Sequence, residues 1–174
     1  MALEKYSPFR RGADDGFLFG IYLTVLFFAT ASATSVPYIG LLSPLMAAGV
    51  PIVTYIYLRR SYVKDYGTTQ FSSLWMQGIV MFFCGSIIMA LAAYIYMRWI
   101  APDFLISQIT SSIETLKGQG RGKEVIDILQ KMLDNNLIPT PIQVAIEMIW
   151  LGVFSGSLLS IIVSLIVQAH KVNT

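Results

Sequence analysis

The stretch FSSLWMQGIVMFFCGSIIMALAAYIYM, residues 71–97, decides the fold of this chain. It contains no Asp, Glu, Lys or Arg. An apolar helix of about 20 residues, rising about 1.5 Å per residue, crosses the hydrocarbon core of a bilayer, which is about 30 Å thick. The sequence therefore predicts that residues 71–97 form a membrane-spanning helix.

Three further stretches have the same character, so the sequence predicts four spans. They cover residues 16–35, 41–58 and 142–168, and of the chain's 12 basic and 10 acidic residues only Glu147 falls inside a span. The chain is 55% hydrophobic and 13% charged, whereas a soluble domain carries about 25% charged residues. We expect an all-α, polytopic membrane protein, with residues 1–174 forming a single membrane domain built on a four-helix bundle.

The basic residues predict which way the bundle faces, because short connections rich in Lys and Arg remain in the cytoplasm. Two segments on one predicted side carry this excess: Lys5, Arg10 and Arg11 before the first span, and Arg59, Arg60 and Lys64 after the second. The connection between the first two spans has no charge. Both termini are therefore expected in the cytoplasm, and the connection between spans three and four on the far side of the membrane.

That far-side connection is predicted to form an amphipathic helical hairpin over residues 103–136. Glycines at positions 118, 120 and 122 break the apolar pattern and predict the turn. The apolar face of the hairpin consists of Leu105, Ile109, Ile113, Leu116, Val125, Leu129 and Met132. The rest of the protein, the membrane surface or a partner protein could cover this face, so it is a candidate docking face.

Small residues recur four positions apart within the spans. Gly16 and Gly20 form one such pair, and Gly152 and Gly156 form another. This spacing lets two helix backbones approach closely. The pattern favours packing within the bundle and leaves a contact between oligomer subunits as the alternative.

Glu147 is the one charge inside a predicted span, and a carboxylate in that position is costly. Arg98 lies at the same predicted boundary of the membrane, so we expect the two to form a buried charge pair. A role in handling a proton or a ligand, and exposure to the lipid headgroups, are the alternatives for Glu147.

The sequence shows little that predicts catalysis. His170 and Cys84 are the only residues of their types, so no metal site of known spacing and no Cys/His pair is predicted. We expect no catalytic residue, no cofactor, no metal and no enzyme activity. The net charge of +2 is also too small to indicate nucleic-acid binding.

Several segments carry a resemblance to a known family. They are Tyr66-Gly67-Thr68-Thr69-Gln70-Phe71-Ser72-Ser73-Leu74, Gly78 and Gly85 in the helix that follows, and Ile100-Ala101-Pro102-Asp103-Phe104. Over most of its length the chain resembles uncharacterised, four-span inner-membrane proteins of Bacteroidota-type bacteria. The family's function is unknown, so the resemblance implies four spans in a bacterial cytoplasmic membrane and no particular activity.

Two functions remain open from the sequence. The favoured one is a small non-catalytic membrane subunit, surrounded by lipid, that binds or scaffolds a larger inner-membrane enzyme or complex, or forms a homo-oligomer. The alternative is the flipping or presentation of a lipid or a polyprenyl-phosphate-linked sugar. The candidate contacts to a lipid phosphate in that case are Arg59, Arg60 and Lys64.

Overall fold

A computed structural model describes residues 7–32, 42–120 and 122–170, together with the backbone of residues 37–41. Lys5 and residues 33–35 of the first predicted span lie outside this part of the chain.

The secondary structure of the described residues is helical throughout. The helices are α1 (Pro8–Ser32), α2 (Pro37–Lys64), α3 (Phe71–Ile95), α4 (Phe104–Gly118), α5 (Lys123–Asp134) and α6 (Pro141–Ala169), and one π-helical turn (Tyr96–Ile100) extends α3. Four candidate membrane spans, in α1, α2, α3 with its π turn, and α6, are long and apolar enough to cross a bilayer. The predicted all-α class is confirmed, and the four spans suggest a multi-pass membrane protein.

Two of these helices extend beyond the apolar stretches that predicted them. Helix α1 begins at Pro8 rather than near residue 16, and α2 continues to Lys64 rather than ending near residue 58. Proline is well tolerated in a first helical turn, and the Ser7 hydroxyl accepts a hydrogen bond from the Arg10 backbone N–H at 3.3 Å. Charged side chains therefore lie on the terminal turns of these two helices instead of in the connections between them.

The chain divides into two compact units. The first unit contains Met1–Ala90 and Glu147–Thr174. Its core has two clusters of buried side chains, to which all four long helices contribute. One contains Leu58, Tyr62, Leu74, Val163 and Val167, and the other contains Phe19, Leu23, Met81 and Phe82.

Glycines bring the long helices of the first unit into close contact. A Cβ atom at Gly16 would lie 2.9 Å from the Met81 carbonyl oxygen, and one at Gly20 would lie 3.1 Å from the Cα atom of Gly85. Backbone therefore lies directly against backbone where α1 crosses α3.

Helix α6 meets α3 in the same way. A Cβ atom at Gly152 would lie 3.0 Å from the Cβ atom of Ser86, and one at Gly156 would collide with the Phe82 ring. The structure thus places all four predicted glycines at contacts between helices of one chain. Gly12, which the pattern did not single out, joins them with a Cβ position 2.6 Å from the Gln77 carbonyl oxygen.

The second unit, Leu91–Ile146, contains the hairpin formed by α4 and α5. Ile113 on α4 and Ile126 on α5 are its buried residues in these two helices. Gly120 and Gly122 have φ angles of +64° and +75°, a region that glycine adopts without steric cost. The glycine pattern therefore forms a turn between helices.

Candidate functional site

Charged and polar side chains form a cluster of two hydrogen-bonded groups where α1 begins, α2 ends and α3 begins. We call it the polar network, and it consists of Arg11, Asp15, Ser61, Asp65, Thr69 and Gln77. All six residues belong to the first unit.

Arg11 and Asp65 form one half of the polar network. The two guanidinium nitrogens of Arg11 lie 2.6 and 2.7 Å from the two carboxylate oxygens of Asp65, and the side chains are only 18% and 17% exposed. Thr69 adds a hydroxyl bond of 2.8 Å to the same carboxylate. Such two-pronged pairs have a fixed geometry, so this pair ties the first turns of α1 to the turn that follows α2.

Gln77 forms the other half. Its side chain is on α3, is 2% exposed, and donates from Nε2 to Asp15 Oδ2 at 2.9 Å and to Ser61 Oγ at 2.7 Å. An amide nitrogen has two protons, and these two bonds use both. One buried side chain therefore links α1, α2 and α3.

Two surface clefts open beside the polar network. The first has a volume of about 260 Å³ and lies around the Arg11–Asp65 pair. The second has a volume of about 460 Å³, and we call it the basic cleft. It is lined by Arg10, Arg11, Asp14, Asp15, Leu18, Arg60, Ser61 and Lys64.

The structure separates the three predicted phosphate contacts. Arg60 and Lys64, one turn apart on α2, both line the basic cleft. Arg59 instead donates hydrogen bonds to the carbonyl oxygens of Val167, at 3.2 Å, and of His170. A cation at a helix C-terminus is favourable because the last carbonyl groups lack helical partners, so Arg59 closes the end of α6.

The sequence predicts that Arg98 and Glu147 form a charge pair. Arg98 belongs to the second unit and Glu147 to the first, and both side chains are exposed. Their pairing stays a prediction.

The predicted docking face of the hairpin contains residues in different environments. Ile113 is buried, Val125 is exposed, and the other five are partly buried: Leu105, Ile109, Leu116, Leu129 and Met132. Ile128 was not part of the predicted face and is 59% exposed. Together, Val125, Ile128 and Met132 form an apolar row on α5 that we call the docking ridge.

The polar network was not predicted from the sequence. A signal was present, because Gln77 is an amide within the quoted apolar stretch, and Arg11 and Asp15 lie four positions apart just before the first predicted span. Their partners could not be identified, since Arg11 and Asp65 are 54 positions apart and Asp15 and Gln77 are 62 apart. Among the described residues, no group of three or more His, Cys, Asp or Glu side chains is placed to hold a metal ion.

Comparison with known proteins places the chain in a family without assigning it an activity. Searches of curated proteins and of solved structures found no match. A family described as "Protein of unknown function (DUF4199)" matches residues 14–169, which include the polar network from Asp15 onward and the whole hairpin. The predicted resemblance to a family of unknown function is thereby confirmed, while residence in a bacterial inner membrane stays a prediction. Because the match extends over most of its length, the chain belongs to the DUF4199 family.

Proposed function

We propose that this protein is a non-catalytic membrane subunit that binds a larger membrane protein through the docking ridge on α5. The observation that carries the proposal is the exposure of two aliphatic side chains on this short helix. Val125 is 48% exposed and Ile128 is 59% exposed. Burial of exposed aliphatic side chains against a partner is favourable in free energy, because it removes apolar surface from water.

The arrangement of α5 explains why the hairpin leaves this surface uncovered. Ile126 points into the hairpin and is buried, at 9% exposure. A neighbouring face of α5 carries three apolar side chains at helical spacing, those of Val125, Ile128 and Met132. Helix α5 thus has a broad apolar surface, part of which packs in the hairpin while the docking ridge remains accessible.

The composition of α5 favours a protein partner over the membrane surface. Helices that lie on a bilayer are rich in Lys and Arg, with Trp, Phe or Leu on the apolar side. Helix α5 contains two lysines, three acidic residues and no aromatic residue. Its charge therefore gives no net attraction to anionic lipid, and its apolar side has no aromatic anchor.

Purification from the native host in mild detergent tests the proposal. We expect a second membrane protein at constant stoichiometry with the wild-type chain, and its loss when Ile128→Asp places a charge on the docking ridge. Lys131→Asp is the matched control, because it adds the same side chain at an exposed polar position of α5. A wild-type preparation that contains this chain alone, or a partner retained equally by Ile128→Asp, would contradict the proposal.

The alternative, handling of a lipid-linked phosphate, has one observation in its favour. Arg60 and Lys64 line the same cleft at one end of the first unit. This supports binding of a phosphate, which is a narrower property than transport. If the protein moves such a lipid, Arg60→Gln and Lys64→Gln should abolish transport in reconstituted vesicles, and unchanged transport would exclude this function.

A further inference from the structure

The basic cleft combines the charge, the donors and the apolar wall that a phosphate-bearing lipid requires. Its volume of about 460 Å³ is within the range of small-molecule sites, about 300 to 1,000 Å³. It lies in the first unit, whereas the docking ridge belongs to the second. A ligand here is therefore a property separate from partner binding.

Basic side chains predominate among the described residues that line the cleft. They are Arg10, Arg11, Arg60 and Lys64, against the carboxylates of Asp14 and Asp15. Arg11 is paired with Asp65, whereas Arg60 and Lys64 lie one turn apart on α2. A phosphate group, which is negatively charged, would match these two cations.

Hydrogen-bond donors at the cleft are partly held in place by the polar network. Ser61 lines the cleft and is 5% exposed, and its oxygen accepts a hydrogen bond from Gln77. A hydroxyl group can donate one bond while it accepts another, so Ser61 can serve as a donor to a ligand oxygen. Arg60 adds a guanidinium group, whose planar geometry matches phosphate oxygens. The same Gln77 holds Asp15, which interacts electrostatically with both Arg60 and Lys64. The negative charge of Asp15 would therefore oppose an incoming anion.

An apolar row continues from the cleft along α1. Leu18 lines the cleft and is 56% exposed, and Ile21 and Val25 follow at 45% and 51% exposure. Spacings of three and four residues place the three side chains on one face of the helix. A ligand with a phosphate at one end and an acyl chain at the other would match both the cleft and this row.

We propose that the basic cleft binds a phosphate group, contacted by Arg60, Lys64 and Ser61. The apolar row that begins at Leu18 makes the headgroup of a phospholipid the favoured source of that phosphate, and a soluble phosphate ester the other source with the same chemistry.

Native mass spectrometry of the full chain in a neutral detergent tests the site, with dioleoylphosphatidylglycerol as the probe. We expect one tightly retained lipid, and about tenfold weaker binding for Arg60→Gln and for Lys64→Gln, since each loses a charge-assisted contact. Lys131→Gln removes one positive charge from α5 and should leave binding unchanged. Equal binding by all of these proteins would overturn the proposal.

Asp15→Asn gives a test in the opposite direction. The variant keeps an oxygen that can accept from Gln77 and removes the negative charge beside Arg60 and Lys64, so we expect several-fold tighter binding. A variant that folds poorly would not bind more tightly, so a gain cannot be an artefact of unfolding. Unchanged or weaker binding by Asp15→Asn, with an unchanged melting temperature, would overturn the assigned role of this carboxylate and with it the site.

A further comparison distinguishes the two sources of the phosphate. Leu18→Ser should weaken retention of dioleoylphosphatidylglycerol but not binding of inorganic phosphate, and dioleoylglycerol, which lacks the phosphate, should not be retained. Those results support a lipid ligand. Displacement of the lipid by micromolar inorganic phosphate, together with no effect of Leu18→Ser, would support the phosphate site and overturn the lipid as its source.

Discussion

Gln77 and Asp15 are 62 positions apart in the sequence, yet the amide nitrogen of one lies 2.9 Å from a carboxylate oxygen of the other. The bond joins α3 to α1 and places Asp15 at the edge of the basic cleft. The same nitrogen holds Ser61 on α2. Gln77 therefore supports the fold of the first unit and also positions two side chains of the proposed phosphate site.

Replacing Gln77 by methionine should destabilise the protein while keeping the size of the side chain. Asp15 and Ser61 would each lose a donor, and leaving such groups without partners costs about 1 to 3 kcal/mol. Reversible unfolding in mixed micelles measures the effect. Gln119→Met is the control, because Gln119 is exposed beyond the end of α4. Equal stability of the two variants would show that the bonds of Gln77 contribute little.

The Arg11–Asp65 pair should show measurable coupling. A double-mutant cycle of Arg11→Gln, Asp65→Asn and the combined variant should give a coupling free energy of about 1 to 3 kcal/mol, because the pair is two-pronged and largely shielded from water. An exposed pair would give less than about 1 kcal/mol. Additive effects of the two substitutions would therefore contradict the assignment of this pair as the link between α1 and the turn after α2.

Gly16→Ala should weaken the contact between α1 and α3. The new methyl group would lie 2.8 Å from the Cβ atom of Cys84 and 2.9 Å from the Met81 carbonyl oxygen, and overpacking of this kind costs about 1 to 3 kcal/mol. Thermal unfolding in detergent checks this expectation. Gly118→Ala is the matched control, since nothing lies within 4 Å of that Cβ position. A Gly16→Ala protein as stable as Gly118→Ala would contradict the close contact.

Single-cysteine labelling tests the predicted orientation of the spans. In a Cys84→Ala background, a membrane-impermeant maleimide should label Gln119→Cys in intact spheroplasts and Thr68→Cys only after permeabilisation. The first position follows α4 and the second lies in the turn between α2 and α3, and both are exposed. The reverse pattern would invert the orientation inferred from the basic residues.

The length and period of the apolar stretches were enough to predict the helices and the hairpin. The helix ends predicted from hydropathy were wrong. Arg11, Asp15 and Lys64 are charged, yet they belong to α1 and α2 instead of marking where these helices end. The polar network is created by contacts between helices that are distant in sequence. Each of its residues could be recognised in the sequence as polar or charged. The crossing of α1 over α3, which brings Asp15 to Gln77, could be known only from the three-dimensional structure. Arg59 shows the same limit, since its partners are carbonyl groups at the end of α6.

Site-specific photocrosslinking on α5 tests the proposed function most directly. A photoreactive amino acid at Ile128 in the native host should give one discrete crosslink to a larger membrane protein, and the same group at exposed Asp134 should not give that product. The Ile128 crosslink should also disappear when Val125→Asp adds a charge to the docking ridge. Crosslinking of Ile128 only to lipid, or identical products from both positions, would contradict the account of this protein as a partner-binding membrane subunit.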